Sequence, residues 1–133
     1  MSFEVAIING FEHRLEGIDA VEADQGCLNQ NGEVWLCGQR ARQTLVSLIQ
    51  GRTVSCEWND TDRYGRRLST CMVDQINLNA AMVYTGYAIA YRKYSKRYVS
   101  FEREAKANKN GIWNGEFVAP TDHRKSGRKL RPF

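Results

Sequence analysis

The sequence predicts a small α+β barrel, mainly of β-structure, with about three helices. Two pairs of β-prone segments each flank a turn signal, and three later segments show helical periodicity. A chain of 133 residues has the length of one domain with one hydrophobic core. No apolar run approaches the ~20 residues that span a bilayer. We therefore expect a soluble protein without a membrane partner.

The first predicted hairpin joins residues 3–8 and 11–18 through Asn9-Gly10, a strong signal for a two-residue turn. Regular strand alternation would place Arg14 and Asp19 on opposite faces. A bulge at Gly17 would reset the phase and bring both side chains to one side.

The second predicted hairpin joins residues 53–58 and 67–73. If its centre lies between Arg63 and Tyr64, Cys56 lies directly opposite Cys71, within reach of a disulfide.

Cys27 and Cys37 would then form a second disulfide, and an oxidising compartment would follow. Reduced, buried thiols in a cytosolic protein are the alternative. The chain has no C-x-x-C pair and two histidines, so a structural zinc site is not expected.

Three helices are predicted. Residues 38–50 carry an apolar stripe and end before Gly51. A short helix begins at Asn77 or Asn79 and ends at Gly86, since asparagine caps helices. A third, over residues 97–110, includes an i,i+4 pair, Glu102–Lys106, and Ile112 and Trp113 should then pack on the core.

The positive charge is concentrated at the C-terminal end. Residues 120–133 carry a net charge of +4, equal to that of the whole chain. This segment is predicted to be a disordered basic tail that adds salt-sensitive attraction to phosphates, or a solubilising end without such a role. The remainder, residues 1–119, is predicted to be the folded domain.

Arg14, Asp19 and Glu22 suit phosphodiester hydrolysis if they converge. A carboxylate such as Asp19 is a hard ligand for Ca²⁺ or Mg²⁺. Glu22 can accept a proton from the attacking water, and the Arg14 guanidinium can bind phosphate oxygens. The alternative is a solvated acidic loop.

The second hairpin loop adds Arg63, Tyr64 and Arg66, which can contact phosphate or stack on a base. Residues 91–98, YRKYSKRY, interleave four cations with three tyrosines. This pattern is typical of a groove that binds single-stranded nucleic acid and stacks its bases on aromatic rings. A basic hairpin loop and an exposed helix entry are the alternatives.

Three motifs resemble the staphylococcal nuclease family in order and spacing: RLEGIDAVE (14–22), DRYGR (62–66) and EAKANKNGIW (104–113). The resemblance implies an OB-fold, a five-stranded barrel with helices packed against it. It also implies a Ca²⁺-dependent nuclease, with Mg²⁺ as the alternative ion, that acts on DNA and RNA with low sequence specificity.

The resemblance also assigns roles residue by residue. Arg14 and Arg66 match the catalytic arginines, and Glu22 matches the general base. Asp19 matches a metal ligand, and Ala20 would add its backbone carbonyl. Three further residues match substrate contacts: Arg63, Tyr64 and Tyr91.

The chain departs from the family pattern at two places. Val21 replaces a proline, which we expect to loosen the turn between Asp19 and Glu22. The family pattern would align Ser2 with the last position of a D-G-D-[TS] motif and Met1 with its second aspartate, so we expect the first strand and one metal carboxylate of that pattern to be missing here. Fewer carboxylates mean weaker Ca²⁺ binding.

Three functional hypotheses therefore stand. The first is a secreted or periplasmic metal-dependent nuclease acting on DNA and RNA, preferably single-stranded, without an obligate protein partner. The second is a catalytically degenerate OB-fold module that binds nucleic acid or protein. The third is an exported, disulfide-linked domain with neither activity.

Overall fold

The computed structural model describes residues 5–8, 11–91 and 96–120 of the chain. The strands are β1 (Val5–Ile8), β2 (Phe11–Leu15), β3 (Ile18–Ala20), β4 (Cys27–Leu28), β5 (Val34–Trp35), β6 (Val54–Thr61), β7 (Arg67–Val73), β8 (Ile76–Asn77) and β9 (Ala88–Ala90). The helices are α1 (Cys37–Ile49), α2 (Leu78–Tyr84) and α3 (Val99–Ala107), followed by a 3-10 helix (Gly111–Asn114).

A five-stranded sheet forms the framework. Its order is β1-β2-β7-β6, and β8 also pairs with β7. Strands β2 and β7 are parallel, whereas the other pairings in this sheet are antiparallel. Two small antiparallel pairs, β3-β9 and β4-β5, complete the β-structure of the described residues. The predicted α+β class with three helices is confirmed.

The first predicted hairpin is present, because β1 pairs with β2 in the register Ile8↔Phe11 to Val5↔Arg14. Its turn, Asn9-Gly10, lies outside the described residues. The predicted continuous strand to residue 18 is wrong. The strand ends at Leu15, Gly17 adopts a φ of +82°, and β3 pairs with β9 instead. Glycine reaches this left-handed conformation without steric cost, so the chain changes its pairing partner here rather than forming a simple bulge.

The second predicted hairpin has Cys56 opposite Cys71, as expected. It is longer than predicted, because β6 continues to Thr61 after a register shift between Trp58 and Asp60. An extra residue in one strand produces such a shift. The loop is therefore shortened to residues 62–66.

Both predicted disulfides are present. Their Cα–Cα distances are 5.7 Å for Cys27–Cys37 and 4.1 Å for Cys56–Cys71. The first encloses the β4-β5 pair, and the second joins β6 to β7. Disulfides are typical of a non-cytoplasmic compartment.

The predicted helices are confirmed. Asn77, not Asn79, caps α2, and its side chain accepts a hydrogen bond from the Ala80 N–H at 3.0 Å. On α3, the Glu102 carboxylate lies 3.8 Å from the Lys106 ammonium. Ile112 is fully buried, as expected. None of the described helices is long and apolar enough to cross a membrane.

Asn79, on α2, is fully buried. Its Oδ1 accepts from the Cys71 N–H at 3.2 Å, and its Nδ2 donates to the carbonyls of Glu16 at 2.9 Å and Ser69 at 3.0 Å. One side chain therefore joins α2, β7 and the residue that precedes Gly17.

The start of α1 packs tightly against the turn that carries Glu22. A Cβ on Gly38 would lie 2.1 Å from the Glu22 carbonyl oxygen. Gln25 fixes this turn, because its N–H donates to the Glu22 carbonyl at 2.9 Å and its Oε1 accepts from the Glu22 N–H at 3.1 Å. Gly38 thus allows α1 to support the position of Glu22.

The substitution Gly38→Ala should lower the free energy of unfolding by about 3 kcal/mol, because backbone atoms rather than a mobile side chain fill the space. Helix propensity alone would predict a gain of about 1 kcal/mol. The control is Gly32→Ala, at an open position with a φ of +77°, which should cost about 1 kcal/mol. Urea unfolding measures both variants, and equal losses would contradict the account.

Candidate active site

A cleft of about 430 Å³ opens beside the interruption at Gly17. Arg14 and Tyr91, which the sequence predicted as site residues, both line this cleft. The other lining residues are Leu15, Glu16, Gly17, Ile18, Asp60, Asp62 and Leu68. The cleft therefore combines apolar strand residues with one guanidinium, a phenol and three carboxylates.

The strands position Arg14. It pairs with Leu68 of β7, which in turn pairs with Asp60 of β6, so the three residues lie side by side across the sheet. Tyr91 is held beside them because its N–H donates to the Gly17 carbonyl at 2.9 Å. The same glycine thus interrupts the strand after Arg14 and fixes the backbone of Tyr91.

Asp62 organises the loop that carries Arg66. Its Oδ1 accepts from the N–H groups of Tyr64 and Arg66, both at 2.9 Å, and the Gly65 N–H donates to the Asp62 carbonyl at 3.0 Å. Its Oδ2 lies 2.7 Å from Arg66 Nε. Asp62 lines the cleft that Arg14 also lines, whereas its partner Arg66 is not among the lining residues.

The pKa of Asp62 is lowered from its ordinary value of 3.8. Burial raises this pKa, but hydrogen bonds from the backbone and side chain of Arg66 and from the Tyr64 N–H outweigh it, with the charge of Arg66 added. Asp62 is therefore a carboxylate at neutral pH, paired with the Arg66 guanidinium.

Arg63 and Tyr64 lie at the tip of the same loop, and both are exposed. The guanidinium carbons of Arg63 and Arg66 lie 5.0 and 5.3 Å from the centre of the Tyr64 ring. Such contacts are cation–π interactions. The loop presents an aromatic ring and two cations in one small area.

Asp19, Ala20 and Glu22 lie on β3 and the turn after it, and they are buried, with exposures of 1%, 0% and 5%. They are not among the residues lining the cleft. The expectation that Val21 loosens this turn is wrong. Its N–H donates to the Tyr87 carbonyl at 3.1 Å, a bond that proline cannot make, and its side chain is fully buried.

Three polar residues were not predicted from the sequence: Asp60 and Asp62, which line the cleft, and Asn79, which binds the carbonyl of the lining residue Glu16. The signal for Asp62 was present, since aspartate at the first position and glycine at the fourth are typical of a type I turn. Asn79 carried no such signal, because its role depends on contacts made through the tertiary fold. Residues 92–95 of the predicted basic groove, and residues 121–133 of the tail, lie outside the described residues.

Comparison with known proteins identifies the protein family of this chain. Residues 12–115 match the family described as staphylococcal nuclease homologue, and the chain belongs to this family. The described sheets and three helices agree with its OB-fold.

Several curated relatives are similar to this chain. Protein ParB of Escherichia coli is 36% identical over 76% of the chain and 59% of its own length. Micrococcal nuclease of Shigella flexneri is 33% identical over 76% of the chain and 60% of its own length. The probable staphylococcal-like nuclease CAN3 of Oryza sativa is 31% identical over 89% of the chain and 29% of its own length. The chain therefore spans about three fifths or less of these relatives.

The family is in general metal-dependent, so the residues must offer suitable ligands. Asp19 would supply a carboxylate and Ala20 a backbone carbonyl. Both are hard oxygen donors, which Ca²⁺ and Mg²⁺ prefer. These donors fit such an ion in chemical type.

The Asp62–Arg66 pair should stabilise the folded protein in a pH-dependent way. The pKa of the Asp62 carboxyl is lower in the folded protein than its ordinary value of 3.8. The contribution of the pair to the free energy of unfolding is therefore fully present above pH 3.8 and is lost as the pH falls through the folded-state pKa. The variant Asp62→Asn should be less stable than the parent at pH 7 and approach it at the lowest pH. Urea unfolding between pH 7 and pH 2 measures this; a difference independent of pH would contradict it.

Proposed function

We propose that this chain hydrolyses phosphodiester bonds in nucleic acid, as a metal-dependent endonuclease of low sequence specificity. The observation that supports the proposal is that the cleft is lined by one arginine and by an aspartate that pairs with a second arginine. Arg14 lines the cleft directly, and Asp62, which lines it too, holds Arg66 Nε at 2.7 Å. Family membership of residues 12–115 supports the same chemistry.

In the proposed mechanism, Arg14 and Arg66 bind the non-bridging oxygens of the scissile phosphate. Guanidinium groups match phosphate oxygens geometrically and are always protonated. The attacked phosphate gains negative charge in its transition state, and fixed positive groups stabilise that charge more strongly than they stabilise the ground state. Asp62 would act as a positioning residue that orients Arg66.

Glu22 would accept the proton of the attacking water. Its backbone is fixed by Gln25 and by the close approach of Gly38. A positioned general base contributes about 10²–10⁴-fold to a hydrolytic rate.

Asp19 and the Ala20 carbonyl would hold Ca²⁺, with Mg²⁺ as the alternative. When bound, such an ion supplies Lewis-acid polarisation of a phosphate oxygen and orients water. The buried position of Asp19 keeps its carboxylate rigid. The protein's own part remains the binding of phosphate by the arginines and the transfer of the proton to Glu22.

The substrate would be DNA and RNA, preferably single-stranded. Arg63 supplies a cation for a neighbouring phosphate, and the exposed ring of Tyr64 offers a surface on which an unpaired base can stack. Tyr91, inside the cleft, would contact the nucleotide next to the scissile bond.

The domain that performs this chemistry would comprise residues 1–119, with 120–133 as a basic tail. The two disulfides support a secreted or periplasmic location. No obligate protein partner is required by the proposed mechanism.

Plasmid nicking tests the catalytic assignment. The parent should cleave with Ca²⁺ and lose activity in EDTA. Arg14→Ala and Arg66→Ala should each lower kcat/KM about 10²–10³-fold, because each removes a group that stabilises the transition state. Glu22→Ala should lose about 10²–10⁴-fold.

The matched controls are Arg42→Ala on α1 and Glu104→Ala on α3, both exposed and distant in sequence from the site. They should retain full activity. Binding of oligonucleotide without any cleavage, by the parent protein with Ca²⁺, would overturn the proposal and favour the non-catalytic binding module.

Base stacking by Tyr64 gives a separate prediction. Tyr64→Ala should weaken binding of a single-stranded oligonucleotide about 10-fold, because one stacked base is worth about 1–3 kcal/mol, and should leave kcat little changed. Tyr84→Ala, at another exposed tyrosine, is the control. Fluorescence anisotropy measures the affinity, and equal effects of both variants would argue against stacking on Tyr64.

A further inference from the structure

The described part of the chain contains one group of three side chains whose metal-ligating atoms converge: His13, Cys56 and Cys71. Their nitrogen and sulfur atoms all lie within 4.8 Å of one another. In the oxidised protein the two sulfurs are bonded to each other, so they are not thiolate ligands. The group becomes a candidate site only after the disulfide is reduced.

Strand pairing would keep the two cysteines together without the disulfide. Cys56 and Cys71 are direct partners in the β6-β7 ladder, which is in register from Val54↔Val73 to Trp58↔Ser69. His13 of β2 pairs with Arg67 of the same β7 strand. Arg67 and Cys71 are four residues apart on β7 and therefore lie on the same face of the sheet. Their strand partners, His13 and Cys56, lie on that face as well, so all three proposed ligands share it.

The hydrogen bonds of His13 leave one ring nitrogen available. Ser69 Oγ donates to the Arg67 carbonyl at 3.2 Å, so its single proton is used there. With the serine proton placed there, Ser69 Oγ accepts from His13 Nδ1, which lies at 2.8 Å, in the tautomer that carries its proton on Nδ1. In this tautomer Nε2 carries a lone pair. In known metal sites, a hydrogen bond from the ring nitrogen that does not bind the metal commonly orients the histidine.

A second cleft, of about 370 Å³, gives access to the group from solvent. Its lining includes His13, Cys56, Trp58 and Arg67. Cys56 is half-buried, whereas Cys71 is fully buried, so a reductant can approach the Cys56 sulfur. His13 and Arg14 are neighbours on one strand and point to opposite faces, so this cleft is separate from the one that Arg14 lines.

We propose that reduction of Cys56–Cys71 creates a Zn²⁺ site whose protein ligands are Cys56, Cys71 and His13. A dithiol reductant would transfer two electrons and two protons to the disulfide and become a disulfide itself. Zn²⁺ then displaces the two thiol protons and binds both thiolates and the His13 nitrogen. Water from the cleft fills the fourth position, which completes a tetrahedral set. This inference does not depend on the proposed nuclease activity.

Co²⁺ tests the proposal, since thiolate-bound Co²⁺ absorbs in the near ultraviolet. The full chain is reduced with a phosphine, which takes oxygen from water and becomes a phosphine oxide. The reduced parent should bind one Co²⁺ with thiolate absorption, Zn²⁺ should displace it, and the oxidised parent should show no such band. Circular dichroism monitors the fold throughout.

Two variants locate the ion. Cys56→Ser/Cys71→Ser, which retains Cys27 and Cys37, should lose the absorption after reduction. His13→Gln should weaken Co²⁺ binding at least 10-fold while both thiols remain. A reduced parent that binds no Co²⁺, a parent that unfolds on reduction, or an absorption that survives in the double serine variant would each overturn the proposal.

Discussion

The hydrogen bonds of Asn79 are the interaction on which the rest of the structure depends. The side chain is fully buried and joins Cys71, Ser69 and Glu16 to helix α2. Leaving such buried backbone groups without partners would cost about 1–3 kcal/mol each. Asn79 thereby fixes the end of β2, the point at which the chain leaves the main sheet and, through Gly17, enters β3.

This change of pairing determines the arrangement of the candidate site. On one side of Gly17, Arg14 remains in the five-stranded sheet beside Leu68. On the other side, Asp19 pairs with Ile89 of β9. The Gly17 carbonyl also accepts from Tyr91. The conformation of Gly17 therefore marks the point at which the chain passes from the sheet that holds Arg14 to the β3-β9 pair that holds Asp19, and the Gly17 carbonyl anchors the backbone of Tyr91.

Local sequence patterns predicted the helices, both hairpins and both disulfides, because turn residues, periodicity and opposed cysteines act over short distances along the chain. The same patterns indicated an interruption at Gly17, although not the new pairing of β3 with β9, which joins residues far apart in sequence. The contacts of Asn79 and the burial of Val21 also depend on tertiary packing. Arg14, Arg66 and Tyr91 were recognisable as candidates, whereas the positioning role of Asp62 required the folded loop.

The central claim is that Arg14 and Arg66 act on one phosphate at the cleft beside Gly17. A crystal structure of the chain with Ca²⁺ and a non-hydrolysable phosphorothioate oligonucleotide tests it most directly. The account predicts one phosphate group in contact with both guanidinium groups, and Ca²⁺ bound to the Asp19 carboxylate. Two different phosphates on the two arginines, or an oligonucleotide bound away from the cleft, would contradict it.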